Sequence, residues 1–101
     1  MVSLVPVPVA GGIATGITVE LPRTHLVIVS GSRGYIMCGA LDVALLDAPH
    51  MRAREIVAAR AVGVKSIADL LAAPLESVTS AAAALGLQPG MAGRDALALL
   101  L

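Results

Sequence analysis

The chain has no phenylalanine and no tryptophan, a single tyrosine and a single cysteine. One cysteine excludes an internal disulfide framework and fits a reducing setting, so a bacterial cytoplasm is the expected location. Without aromatic residues there is no platform on which bases could stack. Seven basic residues balanced by seven acidic ones also make no patch able to anchor a phosphate backbone, so no nucleic-acid partner is expected. No apolar run approaches the roughly 20 residues that span a bilayer, which argues against a membrane partner. The opening segment Met1–Val9 lacks a basic flank and carries Pro6 and Pro8, unlike a signal peptide. Cys38, His25 and His50 show no zinc-ligand spacing, and no motif implies a metal or another cofactor.

Charge is scarce as well. Only 14% of the 101 residues are charged, where about 25% is usual for a soluble domain. Apolar residues make up 57%, supplied by nineteen Ala, fifteen Leu, twelve Val and six Ile. The length suits one domain, 1–101, with a single core. A monomer this small needs more polar surface than the sequence provides, so a homo-oligomer is expected, with part of the surface covered by copies of the chain.

The first half reads as strands. Val5, Val7 and Val9 alternate with prolines that cannot donate to a ladder, which marks an edge strand or extended arm. From Ile13 to Leu21, the apolar Ile13, Ile17, Val19 and Leu21 face one way and Thr18 and Glu20 the other, as in a half-buried antiparallel strand. Pro22-Arg23 makes a turn. Leu26–Val29 is apolar on both faces, as a central strand is, and Ser30–Gly34 closes a hairpin into Tyr35–Cys38.

After Gly39 the period becomes helical through Leu41, Ala44 and Leu45, until Pro49 stops it. Glu55–Val64 mixes helix-tolerant Ala and Arg with strand-favouring Ile and Val, and the balance tips to strand. Ser66-Ile67-Ala68-Asp69 has capping-box spacing and opens a short helix through Leu71. Leu75, Val78, Ala82 and Leu85 form one stripe of a further helix ended by Gly86, and Ala92–Leu101 is a last helix. The expected fold is α+β: a small, mainly antiparallel sheet, made of the N-terminal strands, the hairpin and one later strand, packed with about four short helices.

Chemistry concentrates in Gly34-Tyr35-Ile36-Met37-Cys38-Gly39-Ala40-Leu41-Asp42-Val43, which holds the lone thiol and the lone aromatic ring. Cys38 falls at a strand end with Gly39 turning the backbone, and a thiol beside a helix N-terminus faces N–H groups that favour its anion. Asp42 lies near the first turn, placed to support the dipole, cap the helix or act as a base. The bland alternatives are strong: free cysteine usually behaves as a small buried hydrophobe, Asp42 as a helix stabiliser and Tyr35 as a core filler.

The same stretch resembles the signature of the YunC-like proteins, a bacterial and archaeal family catalogued as a domain of unknown function. The likeness continues through Arg60-Ala61-Val62-Gly63-Val64, through Ala73-Pro74-Leu75-Glu76-Ser77-Val78-Thr79, and through Gly90-Met91-Ala92-Gly93-Arg94-Asp95-Ala96-Leu97, covering nearly the whole chain. The resemblance implies a small stand-alone α+β protein, supports strand for Ile56–Val64, and implies no catalytic activity. Asp95 stands where the family motif carries Glu.

On such a strand Arg60 projects from the bulkier apolar face, where a charge requires a carboxylate, carbonyls or a bound anion. Gly90-Met91-Ala92-Gly93-Arg94-Asp95 and Ser30-Gly31-Ser32-Arg33-Gly34 offer backbone N–H groups that suit either tight turns or an anion. Three functions follow. The first is a small-molecule site with Cys38 as nucleophile, Asp42 as base or proton shuttle, and Arg60, Arg94, Gly39 and Tyr35 around an anionic ligand. The second is a non-catalytic oligomeric structural or interaction module in which Cys38 is core packing. The third is a redox-sensing thiol, which requires Cys38 to be exposed. The residues leave open whether the protein is an enzyme.

Overall fold

Alternating β-branched and apolar side chains carry the first 30 residues into three antiparallel strands. A computed structural model of the chain, describing residues 1–101 apart from the Arg52 side chain, forms them as β1 (Val2–Val9), β2 (Gly12–Leu21) and β3 (Thr24–Ser30). A fourth strand, β4 (Tyr35–Met37), completes the expected hairpin with β3. Two later strands, β5 (Ala58–Arg60) and β6 (Ser77–Val78), extend the sheet. Its six strands lie in chain order, and every neighbouring pair is antiparallel except β4–β5. The fold is α+β, with one more strand than the sequence suggested.

The expected strand over Glu55–Val64 shrinks to three residues for a local reason. Glu55 takes φ 50° and Gly63 φ 74°, so the chain turns on both sides of the extended part. Parallel pairing of β4 with β5 requires a crossover, and two short helices provide it, α1 (Val43–Leu46) and α2 (Pro49–Arg52). Pro49 does more than stop the first helix: it sits in the first turn of the second, where its missing N–H costs nothing. Half of the capping box forms as expected: Ser66 Oγ accepts the Asp69 N–H at 3.1 Å at the start of α3 (Ile67–Ala72), while the Asp69 carboxylate accepts the N–H of Lys65, one residue before the cap, at 3.1 Å.

The stripe Leu75–Leu85 is not one helix. Pro74 bridges to Ala92, Ser77–Val78 joins the sheet, and only Ser80–Ala84 winds into α4, which Gly86 closes at φ 103°. The last helix, α5 (Gly93–Leu100), matches expectation. The helices among the described residues thus number five, where about four were expected.

Sheet pleating then sorts the side chains. Val27, Val29, Ile36 and Ala59 are fully buried on one face, against Leu70 of α3 and Leu97 and Leu100 of α5. On the opposite face Met37 and Ala58 are fully buried at one corner, packed with Val43 of α1. Beyond that corner the face is open. One cross-strand row runs Leu4, Ile17, Ile28, Met37, Arg60, and its outer end is bare: Leu4 is 68% exposed, and Ile13 nearby is 71% exposed.

This inverts the expected sidedness of β2. Its larger residues Ile13, Ile17, Val19 and Leu21 point to the open face, while Ala14 and Gly16 are the buried positions. The helix layer comes so close that only small residues fit beneath it: a Cβ on Gly16 would lie 2.5 Å from Ile67 Cδ1 and 2.9 Å from Val7 Cγ2. Helix α5 approaches α3 in the same way at Gly93, where a Cβ would overlap the Leu70 carbonyl oxygen. Gly93→Ala is therefore expected to lower stability by about 1–3 kcal/mol through overpacking. The measurement is a shift of the urea midpoint at unchanged slope; an unmoved midpoint would show that the helices yield there at no cost.

Candidate functional site

Cys38 closes β4 in an unusual way. Its backbone N–H donates to the Val27 carbonyl at 3.0 Å, as a ladder residue should, but the chain then turns and its carbonyl accepts from Leu41 N–H at 3.3 Å. The Val27 N–H, deprived of that carbonyl, donates instead to Cys38 Sγ at 3.3 Å. The sulfur takes the place of a missing ladder acceptor, and the residue is 3% exposed within the main core. It also faces the α3/α5 side of the sheet, whereas α1 packs on the other side with Met37 and Ala58. The helix start once expected beside the thiol lies across the sheet from it.

Asp42 is exposed and is the N-cap of α1, where its Oδ1 accepts the Ala44 N–H at 2.9 Å. Arg60 shares a face with Ala58 and Met37, opposite Cys38. Its Nη2 donates to the Gly39 carbonyl at 2.8 Å and its Nη1 reaches Glu76 Oε2 at 3.5 Å. The carboxylate that pairs with Arg60 is Glu76, on the segment that follows Leu75. With the two side chains 26% and 42% exposed, such a bridge contributes little stability. Arg60 Nε is buried and, among the described residues, has no hydrogen-bond partner.

Gly39 thus supplies a carbonyl rather than an N–H, and its missing side chain keeps room for Val62 Cγ1, which a Cβ would approach to 3.3 Å. Tyr35 is half-buried and packs against the Met37–Val43–Ala58 cluster. Arg94 is exposed on α5, in the helix layer on the far side of the sheet from Arg60, with Nε 3.5 Å from the Leu71 carbonyl at the end of α3. Of the six residues singled out from the sequence, Arg60 and Gly39 come together by a hydrogen bond. Cys38 and Arg60 are divided by the sheet, and so are Arg60 and Arg94.

The two glycine-rich segments have spent N–H groups on the protein itself. Arg33 N–H donates to the Leu100 carbonyl at 2.9 Å, which ties the β3–β4 loop to the end of α5. Gly90 N–H goes to the Leu75 carbonyl at 2.8 Å and Gly93 N–H to the Ala73 carbonyl at 3.0 Å. Arg94 lines a groove of about 340 Å³ with Val9 and Leu71, and a groove of about 500 Å³ lies between Leu46 and Asp47, Glu55–Val57, and Ser80, Ala81 and Ala84 of α4. Asp47 there accepts from Ser80 Oγ at 2.8 Å and from Ser80 N–H at 3.1 Å. None of the six singled-out residues lines it.

One consequential residue escaped the sequence reading. Thr79 is 1% exposed and is the buried polar side chain of the described residues. Its hydroxyl donates to the Ile56 carbonyl at 2.7 Å and accepts from Ala58 N–H and Ala82 N–H, each at 3.2 Å. It joins the approach to β5, β5 itself and the start of α4. The signal was present in Thr79-Ser80 before four alanines, an N-cap followed by helix formers, but the apolar stripe through Leu75–Leu85 masked it. Thr79→Val keeps the shape and strands three backbone groups, so a loss of about 2–3 kcal/mol is expected, with Thr79→Ser recovering most of it in thermal melts. Asp42→Ala should cost only roughly 0.5–1 kcal/mol, the value of a cap.

Comparison with known proteins agrees with this architecture. The family described as a domain of unknown function, DUF1805, matches residues 37–100. The uncharacterized protein YunC of Bacillus subtilis (strain 168) is 56% identical over 97 residues, covering 96% of this chain and 95% of that protein. A crystal structure of a protein of unknown function, TA1206 from Thermoplasma acidophilum, superposes with a TM-score of 0.88 at 26% identity, covering 100% of this chain and 94% of the other. The signature around Cys38, the sheet in chain order and these likenesses converge: the chain belongs to the DUF1805 family, the YunC-like proteins.

Proposed function

We propose that the protein is a non-catalytic oligomeric module in which the Cys38 stretch serves the fold. The observation that carries this is the state of the thiol: buried, bonded to the Val27 N–H and separated by the sheet from both Arg60 and the start of α1. A nucleophile or redox sensor needs access and an activating neighbour, and the surroundings of Cys38 offer packing instead. The other chemically capable groups have structural duties too, Asp42 as a cap and the glycine-loop N–H groups as internal donors. The expected result is a native Cys38 that resists iodoacetamide and reacts once the chain is unfolded in urea. Native alkylation at the rate of the unfolded chain would overturn the reading. Cys38→Ala, which deprives Val27 N–H of its acceptor, should lower stability by about 1–3 kcal/mol.

One observation favours a second reading, a small anionic ligand at Arg60. Its Nε is buried without a partner among the described residues and its ion pair to Glu76 is long, so the guanidinium retains donor capacity beside the Gly39 carbonyl. A carboxylate or phosphate displacing Glu76 would use it. Titration of the protein with inorganic phosphate and with acetate, followed by backbone amide shifts, should then move the Gly39 and Arg60 signals, more strongly in Glu76→Gln. Shifts absent in both proteins exclude the anion.

A further inference from the structure

The open side of the sheet is the surface on which the modular reading can be made specific. On β1, β2 and β3 every second residue points to this side, and none of them is charged. The rows Val2–Val19–Leu26 and Leu4–Ile17–Ile28 are wholly aliphatic. The hydroxyls of Thr15 and Ser30 stand in the next row, which ends at Tyr35. We infer that this face is the docking surface for a second copy of the chain, the two sheets stacking face to face; the inference rests on the reading of the protein as an oligomeric module.

Three features select a second copy as the occupant. A face without charge can meet its own image about a two-fold axis with no like-charge clash. Its size is appropriate: three strands about 4.8 Å apart and up to ten residues long at about 3.3 Å each give a projected footprint on the order of 450 Å². The accessible area exceeds that projection because the side chains stand proud of it, Val2, Leu4 and Ile13 being 65%, 68% and 71% exposed, and a specific dimer takes roughly 800 Å² from each partner. Finally, the scarcity of charge in the whole chain, 14%, is accounted for when one face lies between copies. Aligned packing of two such sheets would place their strands within about 30° of each other, with a core about 10 Å thick between them.

The test is sedimentation velocity of the full chain at high micromolar concentration, for the wild type and for Leu4→Glu/Ile17→Glu. The wild type is expected to be a dimer and the double variant a monomer with an unchanged far-ultraviolet circular dichroism spectrum. Leu45→Glu, at a residue 57% exposed on α1, is expected to remain dimeric. Should the double variant fail to fold, Leu4→Glu alone, at the exposed edge, is expected to weaken the dimer at least tenfold. A monomeric wild type overturns the inference, including a monomer that binds an apolar dye on this face, since the face would then serve another partner. A dimer that survives both charge insertions overturns it as well, while leaving the buried, unreactive thiol of the modular reading untouched.

Discussion

The helices of this chain cover one face of its sheet and only a corner of the other. The first helical residue is Val43, and by then four of the six strands have been laid down. Everything helical after Ser66 packs on a single side, where Leu70, Leu97 and Leu100 meet Val27, Val29 and Ile36. The crossover that parallel pairing of β4 and β5 demands reaches the other side, but with one turn of α1 it protects only the corner at Met37 and Ala58. On β2 the covered positions are accordingly the small Ala14 and Gly16, which let the helix layer approach closely. Its larger aliphatic residues, Ile13, Ile17, Val19 and Leu21, are left to the open face.

The same constraint shapes the chemistry around Cys38. A residue at the end of β4 belongs to one face or the other, and the thiol falls on the covered one, where it substitutes for a carbonyl toward Val27 N–H. Arg60 falls on the other, pinned by the Gly39 carbonyl. The conspicuous stretch therefore holds a junction together: β3 to β4 through sulfur, β4 to β5 through the parallel ladder, and the turn after Met37 to Arg60. Thr79 does the equivalent on the far side of β5, where three backbone groups share one hydroxyl. Both junctions use a small side chain to meet backbone groups that irregular segments leave over.

Much of this was legible before any coordinates. Strands β1 to β4, the capping box of α3, the final helix, the edge position of the proline-bearing strand and the family all follow from local patterns and a shared signature. The sidedness of β2 did not, because alternation reports which residues share a face and not which face a distant helix will cover. The break of Leu75–Leu85 into strand and helix was hidden since Leu75, Val78, Ala82 and Leu85 satisfy a helical spacing by coincidence, while Pro74 and β5 draw Ser77–Val78 into the sheet. For the candidate site, individual placements were readable: Arg60 on the face of Ala58, Tyr35 and Met37 opposite Cys38. Their mutual arrangement depended on the register Met37↔Arg60, which sets two distant strands side by side and has no local signal.

The prolines of β1 acquire a meaning from their position at the sheet margin. A proline has no N–H to give, so Pro6 and Pro8 occupy positions whose nitrogens point away from β2. An incoming strand would find that margin short of donors along half its length. Growth by adding strands sideways, the route to fibres, is thereby discouraged, and the greasy side of the sheet is left as the favourable direction of association. On the docking inferred above, stacking would consume that side after one partner had arrived. A chain rich in valine, leucine and alanine, with little charge to keep copies apart, would in this way be steered toward assemblies that terminate.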